Sequence, residues 1–433
     1  LYARFRNRIF AAGAQLRIPL KFGKSKGAEL ESCAKCDQFE SLFVCLHQSK
    51  AGLGRATERT RTTPEIVRLG CRQSSLAFVM LLALLVTAGG AGGCAVPRSR
   101  LGALPFHGIF TLYSTTDASD LGRHRHGRWP RMFQTDERER GIIYTKRAGF
   151  LDVAHLRITI DWTRYYVLQV RDAMNAGDAQ LTLPGMNNAR LHVALHYPQT
   201  WDQQTPEARA ALVQEVSIRT GQRLAYLMLT WHEAISWFGN RTVFFVDERP
   251  SAFTYDDTMS HVIGIRVAAR ALADESRSFD DAVTLALSDE LWALGAVSPR
   301  QTDEAVRAVQ GHWWANGRPL KRHYDVGLTS DVVYPWLARD ISFASDRKPE
   351  PFHLPRLDDV YGQDWSGFYS AEIEPRISTA SRMRQSVAGH PERFSHDEAM
   401  PQLMDVIRSE MDSQFGAEVN EPWPAGMTES AKR

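Results

Sequence analysis

Leu151, Ala154, Ile158, Trp162 and Tyr165 recur three or four positions apart, the period of one face of an α-helix. They predict a helix from about Gly149 to Asn175, stopped before Gly177. A second apolar helix is expected after Thr205-Pro206, a cap and first-position pair, with a break or tight adjustment at Thr220-Gly221 and an end near Gly239-Asn240. Thr254 with Asp257, and Ser278 with Asp281, place an acid three residues after a hydroxyl. That spacing resembles a capping box and opens two further helices, the later one ending near Gly295. Ser298-Pro299 opens a shorter helix, and Met400 to Phe415 reads as another. Ile142 to Thr145, Val243 to Val246 and Tyr369 to Ile377 read as short strands, and residues 181–197 alternate in part, with Leu191, Val193 and Leu195 on one face. The expected fold class is α+β, mainly α-helical with short strands, in one compact main domain. Trp313, Trp314, Tyr324, Tyr334 and Trp336 form either a core edge or a recognition surface.

A different pattern precedes this body. Arg68 and Arg72 lead into a nearly unbroken apolar run from Ser75 to Val86, then small residues from Ala88 to Gly93, then Cys94. The order is that of a secretion signal, and the apolar run is shorter than the about 20 residues of a membrane span. Ala91-Gly92-Gly93-Cys94 resembles a lipobox, with Ala91 in place of the usual leucine. Acyl groups on Cys94 would make the membrane a partner, since two or three chains hold where one is reversible. Ala95 supplies no acidic retention signal, so the periplasmic face of the outer membrane is expected, with inner-membrane anchoring as the alternative. The expected organisation is an upstream extension over 1–66, with translation starting near Val67; a signal over 67–93; a tether over 94–119; the main domain over 120–390; and a C-terminal helix with a frayed tail over 391–433.

Charge and cysteine placement sharpen this division. Residues 1–93 carry 14 Lys+Arg against 6 Asp+Glu, and the other 340 residues carry 38 against 44. The main body is acidic, and no nucleic-acid partner is expected. All 5 cysteines lie at or before Cys94, so the body can form neither a disulfide scaffold nor a thiolate zinc site. Cys33, Cys36, Cys45 and His47 offer zinc-type donors, but at the wrong spacing for a finger.

Chemistry in the body rests on histidines and carboxylates. Asp152, His155 and Thr159 share a helix face. Arg157 and Asp161 are spaced as a local ion pair, and Asp257 and His261 as a pair at a helix start. Thr230-Trp231-His232-Glu233 is not a zincin motif, because Ser236 stands where the second histidine is needed. A site assembled across helices is the remaining route to a metal. His155, His232 and His261 are the candidate ligands, and a divalent metal such as zinc is the cofactor they would take. Glu233 is the candidate proton acceptor, and Asp152 would orient His155 from behind. His124, His126, Asp161 and Asp257 are weaker candidates, and the segment Leu121 to Gly127 reads most simply as a solvated loop.

The run Gly141 to Arg157 (GIIYTKRAGFLDVAHLR), Asp161-Trp162-Thr163, Thr230 to Glu233, Lys321 to Leu328 (KRHYDVGL) and Glu372 to Arg376 (EIEPR) resemble a bacterial envelope family, the domain of unknown function 4056. The resemblance implies a predicted lipoprotein and supplies no reaction. Two functional classes follow. One is an interaction or structural lipoprotein, with an envelope protein or peptidoglycan as partner. The other is a metal-assisted hydrolase using the histidine/carboxylate set. The lipid anchor has a direct test: acyl labelling should mark the wild-type protein and leave Cys94→Ser unlabelled. Equal labelling of both would overturn the lipobox reading.

Overall fold

The computed structural model describes residue 97 and residues 115–125, 141–239, 248–316, 318–343 and 349–416. All of them lie within one compact unit, Ala91–Arg433. The segment read as a secretion signal, Cys94, His126 and the strand expected at Val243 to Val246 fall outside the described residues.

The body opens on a hairpin, β1 (Ile142–Thr145) and β2 (Gly149–Asp152), buried along both strands. Ile143 and Leu151 face the main core. Ile142, Tyr144 and Phe150 face a smaller aromatic core with Tyr255, Trp313 and Trp336. The hairpin is thus packed on both sides, which explains its unbroken apolar character. Gly149 takes φ +72°, and a Cβ there would collide with the carbonyl oxygen of Trp336. Trp313 and Trp336 therefore belong to the core edge, whereas Tyr334 is exposed.

Asp152 ends β2 and caps α1 (Val153–Ala176), its Oδ1 accepting from the Ala154 amide at 2.8 Å. The first four residues expected in this helix are strand instead, because their amides and carbonyls pair with β1. α1 ends at Gly177 in the left-handed conformation that favours glycine. From Leu156 to Thr163 it is buried on all sides, as a helix central to a core must be. Its polar residues there are satisfied locally: Thr159 and Thr163 hydroxyls donate to the carbonyls of His155 and Thr159, four residues back.

β3 (Gln180–Pro184) and β4 (Arg190–Leu195) form the next hairpin. α2 (Pro206–Trp237) follows, capped by the Thr205 hydroxyl. It runs unbroken through Gly221. The expected interruption is absent because this glycine serves packing: a Cβ there would lie 2.6 Å from Val167 N and 2.8 Å from Val167 Cα. α3 (Asp257–Ala273), α4 (Phe279–Ala293) and α5 (Pro299–Ala308) complete the helical layer. Ser278 caps α4, and Ser298 with Gln301 forms a full capping box on α5. At α3 the expected box does not form: the Thr254 hydroxyl donates to the Asp257 carboxylate at 2.6 Å instead.

Two short ladders follow, β5 (Trp314–Ala315) with β6 (Arg318–Pro319) and β7 (Val332–Val333) with β8 (Phe352–His353). β9 (Tyr369–Glu374) then joins β4, and β10 (Phe394–Ser395) joins β9, giving a four-stranded antiparallel sheet in the order β10-β9-β4-β3. α6 (Ala380–Ser386) precedes β10 and α7 (Ala399–Phe415) follows it. Leu191, Val193, Ala371, Ile373 and Phe394 turn the sheet toward the main core. Phe394 meets Trp231 of α2 with ring centroids 5.4 Å apart. The class is mixed α/β, mainly helical with short antiparallel strands, as the periodicities indicate.

The loop expected to be solvated is so only in part: Arg123 and Arg125 are exposed. His124 is fully buried, and its Nε2 lies 3.0 Å from Asp161 Oδ1 inside α1. Arg157 reaches the same segment, donating to the Gly122 carbonyl at 2.6 Å. Both contacts clasp residues 115–125 onto α1.

The crossing of α1 with α2 generates a stability prediction. Gly221→Ala should cost about 1–3 kcal/mol, because the intruding methyl meets backbone that cannot give way. Gly367→Ala, with nothing within 4 Å of the added carbon, should change stability by less than about 1 kcal/mol. Denaturant midpoints measure both. Equal midpoints would show that the α1–α2 approach is not clamped.

Candidate metal centre

Two helix starts and one helix end build the site. The first turn of α1 carries Asp152 and His155. The start of α3 carries Asp256, Asp257 and His261. Glu233 lies one turn before the end of α2. The Asp152 amide donates to Ser260 Oγ at 2.8 Å, and that hydroxyl donates to the Asp256 carbonyl at 2.6 Å. These bonds lock the two helix starts together. Their dipoles favour negative charge there, which suits Asp152 and Asp257.

His155 Nδ1 lies 2.7 Å from Asp152 Oδ2 and 3.0 Å from Asp257 Oδ1. One ring nitrogen is thus shared by two carboxylates, and Nε2 is the nitrogen left to bind something else. Burial alone would push His155 down, but Asp257 and Asp152 raise it well above the usual imidazole range. Its ring meets that of His261 edge-on, with centroids 5.7 Å apart. His261 is buried, and its Nε2 has no hydrogen-bond partner among the described residues. Burial, then His155, drive its pKa to about 3, so the ring is neutral.

Glu233 supplies the third side. One of its oxygens accepts from the Phe253 amide at 2.7 Å. Phe253 is held at φ +55°, a left-handed conformation unfavourable for a bulky residue, and its carbonyl accepts from the His323 amide at 2.8 Å. Burial, then Asp257, raise Glu233 to about 8. Ligand atoms of His155, Glu233 and His261 all lie within 4.8 Å of one another; Asp152, His155 and Asp257 form a second such group. Two ligands of one zinc ion at 2.0–2.1 Å are separated by at most about 4.2 Å. Small side-chain rotations would therefore close the first group on an ion.

Of the candidate ligands, His155 and His261 converge, with Glu233 between the helices. His232 stands beside this group and outside it. Its Nδ1 is 2.9 Å from Asn187 Oδ1, which can only accept, so Nδ1 donates and Nε2 is left basic. Burial lowers the His232 pKa, Glu248 opposes this, and His155 reinforces it. Asp257, a weaker candidate, does not pair with His261 across one helix turn as its spacing suggests; it faces His155. His124 and Asp161 pair with each other on another part of α1.

Sequence reasoning missed Arg322. This side chain is buried and donates to the carbonyls of Pro250 and Ala252 at 2.7 and 2.8 Å. Burial lowers it to about 10, while Glu233 and Asp257 oppose the shift, so it stays cationic near the acidic group at neutral pH. Asn187 was also missed; it belongs to a short turn with no motif of its own.

A family model described as "Protein of unknown function (DUF4056)" matches residues 94–335, more than half of the chain. The chain belongs to the DUF4056 family. In this DUF4056 protein the match spans all three helices that build the centre and stops before β9, β10 and α7. No curated protein and no solved structure matches the chain.

The elevated Glu233 gives a pH prediction for the metal-free protein. Its folded pKa, about 8, exceeds the ordinary value of 4.5. The folded state therefore holds this proton more tightly. The associated stability is fully present below pH 4.5 and is lost as pH rises through 8. Glu233→Gln removes that loss. With chelator present, its melting temperature relative to wild type should rise between pH 5 and 8.5, by at least about 2 °C. A pH-independent difference would refute a protonated, buried Glu233.

Proposed function

We propose that this DUF4056 protein is a metal-dependent hydrolase held at the bacterial envelope by a lipid anchor. The convergence of His155, Glu233 and His261, with the far nitrogen of His155 held by two carboxylates, carries the catalytic part. Two imidazoles and a carboxylate are a donor set that suits zinc. A carboxylate behind a ligating histidine fixes the ring and raises its basicity. His155 has two such carboxylates, and its partial exposure, 21%, offers a way in for substrate.

A divalent ion in such a set polarises a substrate oxygen and makes water acidic enough to attack near neutral pH. The protein's own residues supply the rest. Asp152 and Asp257 keep His155 Nδ1 protonated, which leaves Nε2 as the nitrogen able to ligate. Glu233 presents the oxygen not engaged by Phe253. Arg322 offsets the acidic residues and limits their mutual repulsion.

An interaction lipoprotein, the other class, accounts less well for the buried polar geometry. A purely structural network has no need for an unpartnered His261 nitrogen or a two-carboxylate His155, since orphaned buried polar atoms cost stability. The aromatics that could have marked a recognition surface mostly fill cores. The envelope setting is supported by the charged, apolar, small-residue order ending in Cys94, where the family match also begins. No helix among the described residues is long and apolar enough to cross a membrane.

Metal analysis of the purified protein tests the centre. One zinc per chain is expected in wild type and in His232→Ala, and none in folded His155→Ala or His261→Ala. Asp152→Asn keeps a helix cap but removes a charge; it and Asp257→Asn should weaken zinc binding by about 10–100-fold. Full stoichiometry in both His155→Ala and His261→Ala would reject the site, as would loss confined to His232→Ala.

A further inference from the structure

The outer face of α4 carries Leu285 and Trp292, about two helix turns apart on the same side. They are 45% and 85% exposed. Among the described residues the other exposed large apolar side chains, Leu320, Tyr334 and Tyr361, lie in loops. The acids beside Leu285 and Trp292 are paired. Asp281 meets Arg123 at 2.8 Å, Asp289 meets Arg270 at 3.5 Å, and Glu290 meets Arg266 and Arg270 at 3.4 and 3.1 Å. The face is therefore apolar at its centre, with balanced ion pairs around it.

Two observations indicate what covers it. Pro97 is buried, and three residues of chain span no more than about 11 Å. Acyl groups on Cys94 would therefore bring packed protein, and not only a tether, to the bilayer surface. The chain that follows then runs onto α4. The turn Ala118–Asp120 packs on this helix, and the His124 amide donates to Thr284 Oγ1 at 2.9 Å, beside Leu285. The same helix thus receives the chain that leads from Cys94 and turns its apolar face outward. Tryptophan suits the membrane–water boundary, because its ring is apolar and its N–H is polar.

We propose that the outer face of α4, with Trp292 and Leu285 at its centre, rests on the bilayer into which the acyl chains of Cys94 insert. This docking rests on the lipid anchor proposed above and not on the hydrolase. Stable attachment to a membrane takes more than one signal, and here the second one also sets which side of the body faces the lipid. Because the charges around the face are paired, the contact is apolar. It requires no anionic lipid and does not weaken with salt.

Reconstitution of the full-length protein into phosphatidylcholine vesicles with brominated acyl chains tests the docking. Bromine quenches tryptophans that touch the lipid, so the difference between wild type and Trp292→Tyr reports on Trp292. Wild type should float with the vesicles and lose emission, and the loss should be at least twofold smaller in Trp292→Tyr. Leu285→Ser should also reduce it, Tyr361→Ala should leave it unchanged, and salt should not diminish it. Equal quenching of wild type and Trp292→Tyr overturns the proposal. So does wild type that fails to float, or quenching confined to vesicles with anionic lipid. A concentration-dependent dimer that is lost in Trp292→Tyr, without quenching, would overturn it in favour of a second copy on this face. Acyl labelling of the same preparations separates the two readings. Labelled protein with unquenched Trp292 would sink the docking alone, and quenched Trp292 on unlabelled protein would sink the anchor alone.

Discussion

The close crossing of α1 and α3 sets the geometry on which the site depends. Gly264 faces Thr159 there: an added Cβ would lie 2.5 Å from Thr159 Cβ and 3.0 Å from the Leu156 carbonyl. Thr159 is one turn beyond His155 on α1, and Gly264 is about one turn beyond His261 on α3. The missing side chain at 264 therefore determines how near the two imidazoles come. Gly221 does the same for α2 against α1. With both crossings tight, three helices deliver His155, Glu233 and His261 to one point. A larger residue at either crossing would separate the donors before it touched any of them.

That dependence explains what the sequence could and could not reveal. Helix α1, the caps at Thr205, Ser278 and Ser298, and the alternating strands were legible because each follows from local periodicity or a local hydrogen bond. His155, Glu233 and His261 could be singled out as residue types suited to a metal. Their convergence could not, because it depends on Gly264 and Gly221, and a lone glycine in a helical pattern reads first as a break. Asp257 was assigned to its own helix neighbour for the same reason: an i,i+4 spacing is visible in sequence, whereas an approach from another helix is not. Arg322 gave no signal because a lone arginine is ordinarily solvated, and only three-dimensional enclosure makes it a buried counter-charge. His232 was read as a ligand with His155 and His261 because all three fall in predicted helices; it bonds to Asn187, and of the adjacent pair it is Glu233 whose carboxylate joins the cluster.

Two buried Asp–His pairs place the same chemistry in different surroundings. In His124–Asp161 both side chains are almost wholly enclosed, 0% and 1% exposed. The pair joins residues 115–125 to α1, and the His124 amide adds a bond to Thr284 at 2.9 Å. These contacts hold one segment on another. His155 differs on each count. It is partly exposed, it has two carboxylates where one would satisfy Nδ1, and its ring lies edge-on to that of His261, a neutral imidazole. Burying charge is expensive, and an arrangement with two acids, a cationic histidine and an arginine is a poor way to stabilise a core that apolar residues could fill. The excess of carboxylate around His155 makes physical sense once a further positive charge belongs at the centre. A divalent ion held by His155, Glu233 and His261 would supply that charge and would take the place of the proton held by Glu233. The same ion would turn the costliest part of the interior into its most tightly bound part.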